Sequence, residues 1–239
     1  MIYASAFFDL QFQFAQTVSV LSGRPLPQAL LEYTNLYIRF ALGRDFDPAH
    51  PVWQQYVAGL RDTPDGREWT YRFYMRRARL MSAPEVVATF GCFGYAPLGP
   101  ERIRLHFENV ESDRVSPLAL ERRGERHEDL TALFEHVKRT TRQPPRVVGA
   151  SWLYNLEAYR RLFPASYLDT ARALRGRFQR MPLWGQFLNR CGEVRESIAR
   201  EFLVRLGHQS TVDDLERCFP YQVLGLEAPA SEFYEFYGV

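Results

Sequence analysis

The residue pattern changes character at Pro84, and that change limits the folds open to the chain more than any other feature. Upstream, every apolar run has helical spacing. From Ala4 to Leu21, Phe8, Leu10, Phe12 and Phe14 alternate as a strand would, but Phe7, Phe14, Val18 and Leu21 also fall on one helical face, and the length of the run favours the helix. Ser22-Gly23 closes it, and Pro25 and Pro27 suit the start of another. A second helix is expected from Pro27 to Leu42, a third from Ala49 through Trp53, Tyr56 and Leu60, and a fourth from Trp69 to Arg79 with Arg72, Arg76 and Arg79 on one face.

Downstream, β-rich runs take over. Val86–Phe90 and Arg102–Phe107 read as strands, the second alternating polar and apolar residues, and the two are expected to pair antiparallel across a wide, glycine-marked connection at 91–99. Ser116-Pro117 looks like a cap followed by proline at the first helical position, opening a long charged helix through Leu130, Leu133, Phe134 and Val137. Arg146–Ser151 is a short buried strand, Asn155–Leu162 a short helix, Ala173–Leu188 strand and loop, Glu193–Leu206 a helix and Tyr221–Leu226 a last strand. The fold class is therefore α+β, α/β-like in its alternation: an all-helical region over 1–84 packed on a mixed sheet flanked by helices over 85–239. The aromatic tail Phe233–Tyr237 is too apolar to stand in water and should dock on its own domain or on a second subunit, so a homodimer is one expectation.

Composition narrows the function classes. The 30 basic and 28 acidic residues leave a net charge of +2, too small for a global field that attracts nucleic acid. No apolar run approaches the roughly 20 residues that span a bilayer. Neither nucleic acid nor membrane is an expected partner. Cys92, Cys191 and Cys218 are widely spaced without a CxxC pair, which indicates neither a disulfide framework nor a zinc site, and a reducing, cytoplasmic compartment is expected. His127 and His136 lie too far apart to stack as metal ligands on one helix, so no metal is expected.

Two residues stand where chemistry could occur. Ser151 follows a strand and precedes a helix, as a hydrolase nucleophile does, but Gly149-Ala150-Ser151-Trp152-Leu153 has Leu where G-x-S-x-G needs its second Gly. Its structural alternative is a helix cap. His106 lies mid-strand among polar, outward positions, where it is either a sheet histidine or a base. Around them Tyr154 and Asn155 would be polar contacts, and Trp152 and Trp184 apolar walls, of a cleft at the ends of the two strands.

The order Arg102-Ile103-Arg104-Leu105-His106-Phe107, Ser116-Pro117-Leu118, Ala150-Ser151-Trp152-Leu153 and Arg177-Phe178-Gln179-Arg180 resembles bacterial acyltransferase-domain proteins with a GNAT-like fold, over about residues 85–226. The resemblance implies a mixed, splayed sheet and a small-molecule ligand of acyl-CoA type. Arg104 and Arg180 complete the set of candidate ligand contacts. The chain departs from that pattern at Glu111–Ser116, which has no glycine and carries two acidic residues where the CoA pyrophosphate would meet backbone N–H groups. A non-catalytic interaction protein and a serine hydrolase are the competing readings.

Overall fold

The computed structural model describes residues 2–80, 86–111, 115–176 and 178–239. The expected pattern change at Pro84, most of the acidic turn before Ser116, and Arg177 lie outside the described residues. Helices α1 (Ser5–Ser22), α2 (Leu26–Tyr33), α3 (Leu36–Arg39), α4 (Pro51–Asp62) and α5 (Gly66–Arg77) come first. Strands β1 (Ala88–Phe90), β2 (Phe93–Pro97) and β3 (Arg102–Phe107), helix α6 (Arg123–Thr140) and strand β4 (Arg146–Ser151) follow. Then come α7 (Glu157–Arg160), α8 (Ala165–Asp169), β5 (Arg172–Ala173), α9 (Met181–Gly185), α10 (Glu196–Gly207), β6 (Leu224–Pro229) and α11 (Ala230–Tyr237). Among the described residues no helix is long and apolar enough to cross a membrane.

Two compact units emerge, and each is discontinuous. One comprises Met1–Ala83 with Arg175–Tyr221, the other Pro84–Leu174 with Gln222–Val239. The boundary read from the sequence separates only the first half of this arrangement, because the residues that complete the helical unit lie far along the chain. Phe14 of α1 sits at 5.5–5.6 Å from the rings of Phe178, Trp184, Phe202 and Phe219. Contacts of that kind carry no local periodicity.

Local chemistry sets the helix limits. Gly23, at φ 69°, takes the left-handed conformation that ends α1. The single helix expected over Pro27–Leu42 is broken at Thr34 and Asn35. Thr34 Oγ1 donates to the Leu30 carbonyl and accepts from the Leu36 N–H, while the Gln11 side chain accepts the Asn35 N–H, so side chains replace the helical ladder. Asp65 caps α5 by accepting from the N–H groups of Arg67 and Glu68, which starts that helix before Trp69.

The second unit is a six-stranded mixed sheet in the order β1-β2-β3-β4-β6-β5. The strands expected to pair with each other, 86–90 and 102–107, are separated by β2, which lies inside the expected connection and pairs antiparallel with both. Among the described residues only β3 and β4 run parallel, for three residue pairs, Arg102 with Arg146 through Arg104 with Val148. The connection between them is α6, which starts at Arg123 rather than Ser116. Ser116 Oγ does accept the Leu118 N–H, but Ala119 is extended and the chain makes a 3-10 turn, Leu120–Arg122, before the helix begins. The tail forms α11 and packs on its own unit: Phe233 stacks on Phe134 at 4.6 Å, and the Tyr237 hydroxyl donates to the Leu162 carbonyl.

Strand alternation sorts the sheet's side chains into two faces. Ile103, Leu105, Val147, Leu226 and Ala228 join the core formed with Leu130, Leu133, Phe134 and Val137 of α6. Arg102, Arg104, His106, Val148, Ala150 and Glu227 occupy the opposite face.

Candidate functional site

His106 and Ser151 stand on different faces of the sheet. The register Arg104 with Val148 puts His106 in phase with Ala150, and Ser151, one residue on, points with Val147 and Gly149 toward the α6 side. Ser151 has a structural occupation: its Oγ accepts the Leu153 N–H at 3.1 Å and caps the 3-10 turn Trp152–Asn155. A hydrolase pair is not assembled from these two residues.

The other expected contacts disperse as well. Tyr154 is buried, and its hydroxyl shares a 2.9 Å hydrogen bond with that of Tyr167. Burial drives its pKa well above the ordinary tyrosine value. Asn155 is exposed, and its amide donates to the carbonyls of Trp152 and Gln222, fastening the turn to the segment before β6. Trp152 is half-buried at the start of that turn, and Arg104 is half-buried on the His106 face. Arg180 and Trp184 belong to the helical unit. Arg180 precedes α9, and Trp184 is fully buried with its indole N–H donating to the Phe178 carbonyl at 2.7 Å.

Within the sheet unit, a cleft of about 340 Å³ opens where the N-terminus of α6 meets α7, α8 and the end of α11. Arg123, Arg160 and Arg161 line it against one carboxylate, Glu157, and Phe163, Ala165, Leu168 and Phe236 form its apolar wall. Arg161 is fixed by a 2.7 Å hydrogen bond from its guanidinium to the Leu118 carbonyl. Arg123 is the first residue of an 18-residue helix, whose terminal N–H groups add to the positive potential. Phe236, 42% exposed, is the ring of the tail that remains available. The arrangement can hold an anionic group beside an apolar one.

Next to it lies an ion-pair cluster of two arginines and three carboxylates. Arg126, its side chain only 6% exposed, pairs with Glu111 at 2.7 Å, with Asp129 and with Glu125. Arg122 pairs with Glu111 and Glu125 at 3.1 Å. Glu111, read from sequence as an obstacle to an anion at this helix end, therefore has its charge balanced inside the protein. Burial raises the pKa of Asp129, which accepts the Cys92 N–H, and burial likewise pushes the Cys92 thiol up. Cys92 is buried, and its sulfur accepts from the Arg126 guanidinium at 2.6 Å, which packs it into the cluster. Gly91 makes that turn, at φ 52°, with its Cα against the Asp129 carboxylate.

The sequence reading named none of the cleft arginines. Their signal is the doublets Arg122-Arg123 and Arg160-Arg161, each with one guanidinium turned to a structural partner and the other facing the cleft. Among the described residues no group of three or more His, Cys, Asp or Glu side chains could hold a metal, and all three cysteines are free. No protein-family model, curated protein or solved structure matches the chain. None of these comparisons shows the expected likeness to acyltransferase-domain proteins.

Proposed function

We propose that the sheet-bearing unit binds a small anionic ligand with an apolar portion, of the acyl-CoA class, in the cleft lined by Arg123, Arg160 and Arg161. The observation that carries this reading is the set of three arginines lining the cleft with one carboxylate beside a helix N-terminus, two of them, Arg123 and Arg160, with no ion pair among the described residues, and with Phe163, Leu168 and Phe236 adjoining. Guanidinium forks match phosphate oxygens in pairs, and the rings supply the dry surface a thioester chain needs. The volume suits part of such a ligand, its anionic head or its proximal chain, with the remainder lying on the surface.

Thermal unfolding with free CoA, acetyl-CoA and longer acyl-CoAs tests the proposal. Ligand at about 100 times its dissociation constant stabilises by about 2.7 kcal/mol, a rise of about 5–10 °C for a chain of this size. Arg160→Glu or Arg123→Glu should remove most of that rise without lowering the unliganded midpoint, because neither residue makes an ion pair in the described structure. No rise with any thioester, or a rise that survives both substitutions, overturns it.

A further inference from the structure

A stripe on α5 breaks two rules at once. Arg72, Met75, Arg76, Arg79 and Leu80 all lie on one exposed side of α5 and the 3-10 turn that continues it, within an arc of roughly 140° at 100° per residue. Arg72, Arg76 and Arg79 are like charges at neighbouring helical positions, which repel. Among the described residues none of the three forms an ion pair within 4 Å; Glu68, one turn before Arg72, is an exposed carboxylate on the same side, and no acidic residue follows it up to Leu80. Met75 and Leu80, 41% and 62% exposed, stand between them in water. Favourable charge at a helix C-terminus accounts for part of Arg76 and Arg79 but not for Arg72 or the two apolar side chains. Glu68 and the Trp69 ring offset part of the charge of Arg72 and Arg76, and the remainder, beside two exposed apolar side chains, suits a partner that is both anionic and apolar.

From this stripe we propose that α5 docks the protein on the surface of an anionic lipid bilayer. Arginines attract the headgroup charge while Met75 and Leu80 enter the boundary below it, the division of labour of an interfacial helix. Absence of a spanning segment, which made a membrane an unexpected partner, does not bear on a surface contact. Nucleic acid fits the stripe less well. The rings that would stack on bases, Phe73 and Tyr74, are buried, and Trp69 is engaged by Arg76, whose guanidinium lies 5.6 Å from its ring centre. A phosphodiester backbone also gives Met75 and Leu80 nothing to contact.

Co-sedimentation of the full chain with phosphatidylcholine vesicles, and with vesicles that also contain phosphatidylglycerol, decides the matter. Binding is expected to the second kind only and to weaken as salt rises. Each arginine near an anionic surface is worth about 5-fold in partitioning, so Arg72→Glu/Arg76→Glu/Arg79→Glu should lower it by about 100-fold or more. Met75→Ser/Leu80→Ser should weaken it with the charge unchanged. Hydrogen exchange on the unsubstituted protein, which requires no variant to fold, should show residues 66–80 protected by the anionic vesicles. Equal partitioning to both vesicles, none to either, an unchanged exchange pattern, or tighter binding to single-stranded DNA overturns the proposal.

Discussion

Replacing Gly149 with alanine adds one methyl group at the tightest point of the sheet unit. Gly149 lies mid-way along β4, and a Cβ built on it would fall well inside van der Waals contact of the hydroxyls of both Tyr167 and Tyr154. Those hydroxyls are hydrogen-bonded to each other and buried, so neither can retreat into solvent. Backbone preference alone favours alanine by about 0.5–1 kcal/mol in a strand. Overpacking costs about 1–3 kcal/mol, and parting the hydroxyl pair leaves a buried polar group unsatisfied for about 1–3 kcal/mol more. The net expectation is a loss of about 1–5 kcal/mol, read as a lower midpoint in urea denaturation followed by circular dichroism at unchanged slope. Tyr167→Phe removes one of the two oxygens in the way, so the double variant should lose clearly less than the sum of the single losses. A change within about 0.5 kcal/mol for Gly149→Ala, or strict additivity in the pair, would refute this account.

Phe14→Ala should destabilise the helical unit by about 3–5 kcal/mol, because it empties the centre of a ring cluster drawn from both of that unit's segments. Amide exchange in both α1 and α10 should accelerate together. Asp65→Ala should cost about 1 kcal/mol through loss of the α5 cap, measured as a drop in the thermal midpoint. Alkaline pH should unfold the protein cooperatively. Burial raises the pKa of eight of the 13 tyrosines, with Tyr37 pushed up to about 12. The unfolded chain then releases protons near pH 10 that the folded chain retains, so stability is full below that pH and falls as pH climbs above it. Absorbance at the tyrosinate band should show part of the tyrosines ionising only as the circular dichroism is lost. Ionisation of all of them with the fold intact contradicts the burial assignment.

Some of this fold is written in local pattern. Strands β3 and β4 begin and end where alternation and β-branched content place them, and α1 ends at the glycine that suits its cap. Strand β2 is hidden because Gly94 and Pro97 resemble turn residues; it is a strand because β1 and β3 supply a ladder on each side. Segment 175–221 reads as part of the sheet region because its partners on α1 are remote in sequence. The site divides in the same way. Ser151 as a cap is a local relation and legible, and the outward position of His106 follows from alternation. That the two lie on opposite faces depends on the parallel register, and the cleft exists only because the α6 N-terminus and the α7–α8 corner meet.

The interleaving of the two units has a consequence for the chain as it is made. Helix α1 leaves the ribosome early with Phe14 exposed, yet the rings that cover Phe14 include Phe202 and Phe219, and at 5–20 residues per second the wait is about 10–40 s. The sheet is completed only after that, since β6 inserts between β4 and β5 and pairs with both. Until then both strands present an open edge and the N-terminal helices an uncovered aromatic face, so the yield of folded protein should depend on chaperone supply more steeply than its final stability implies.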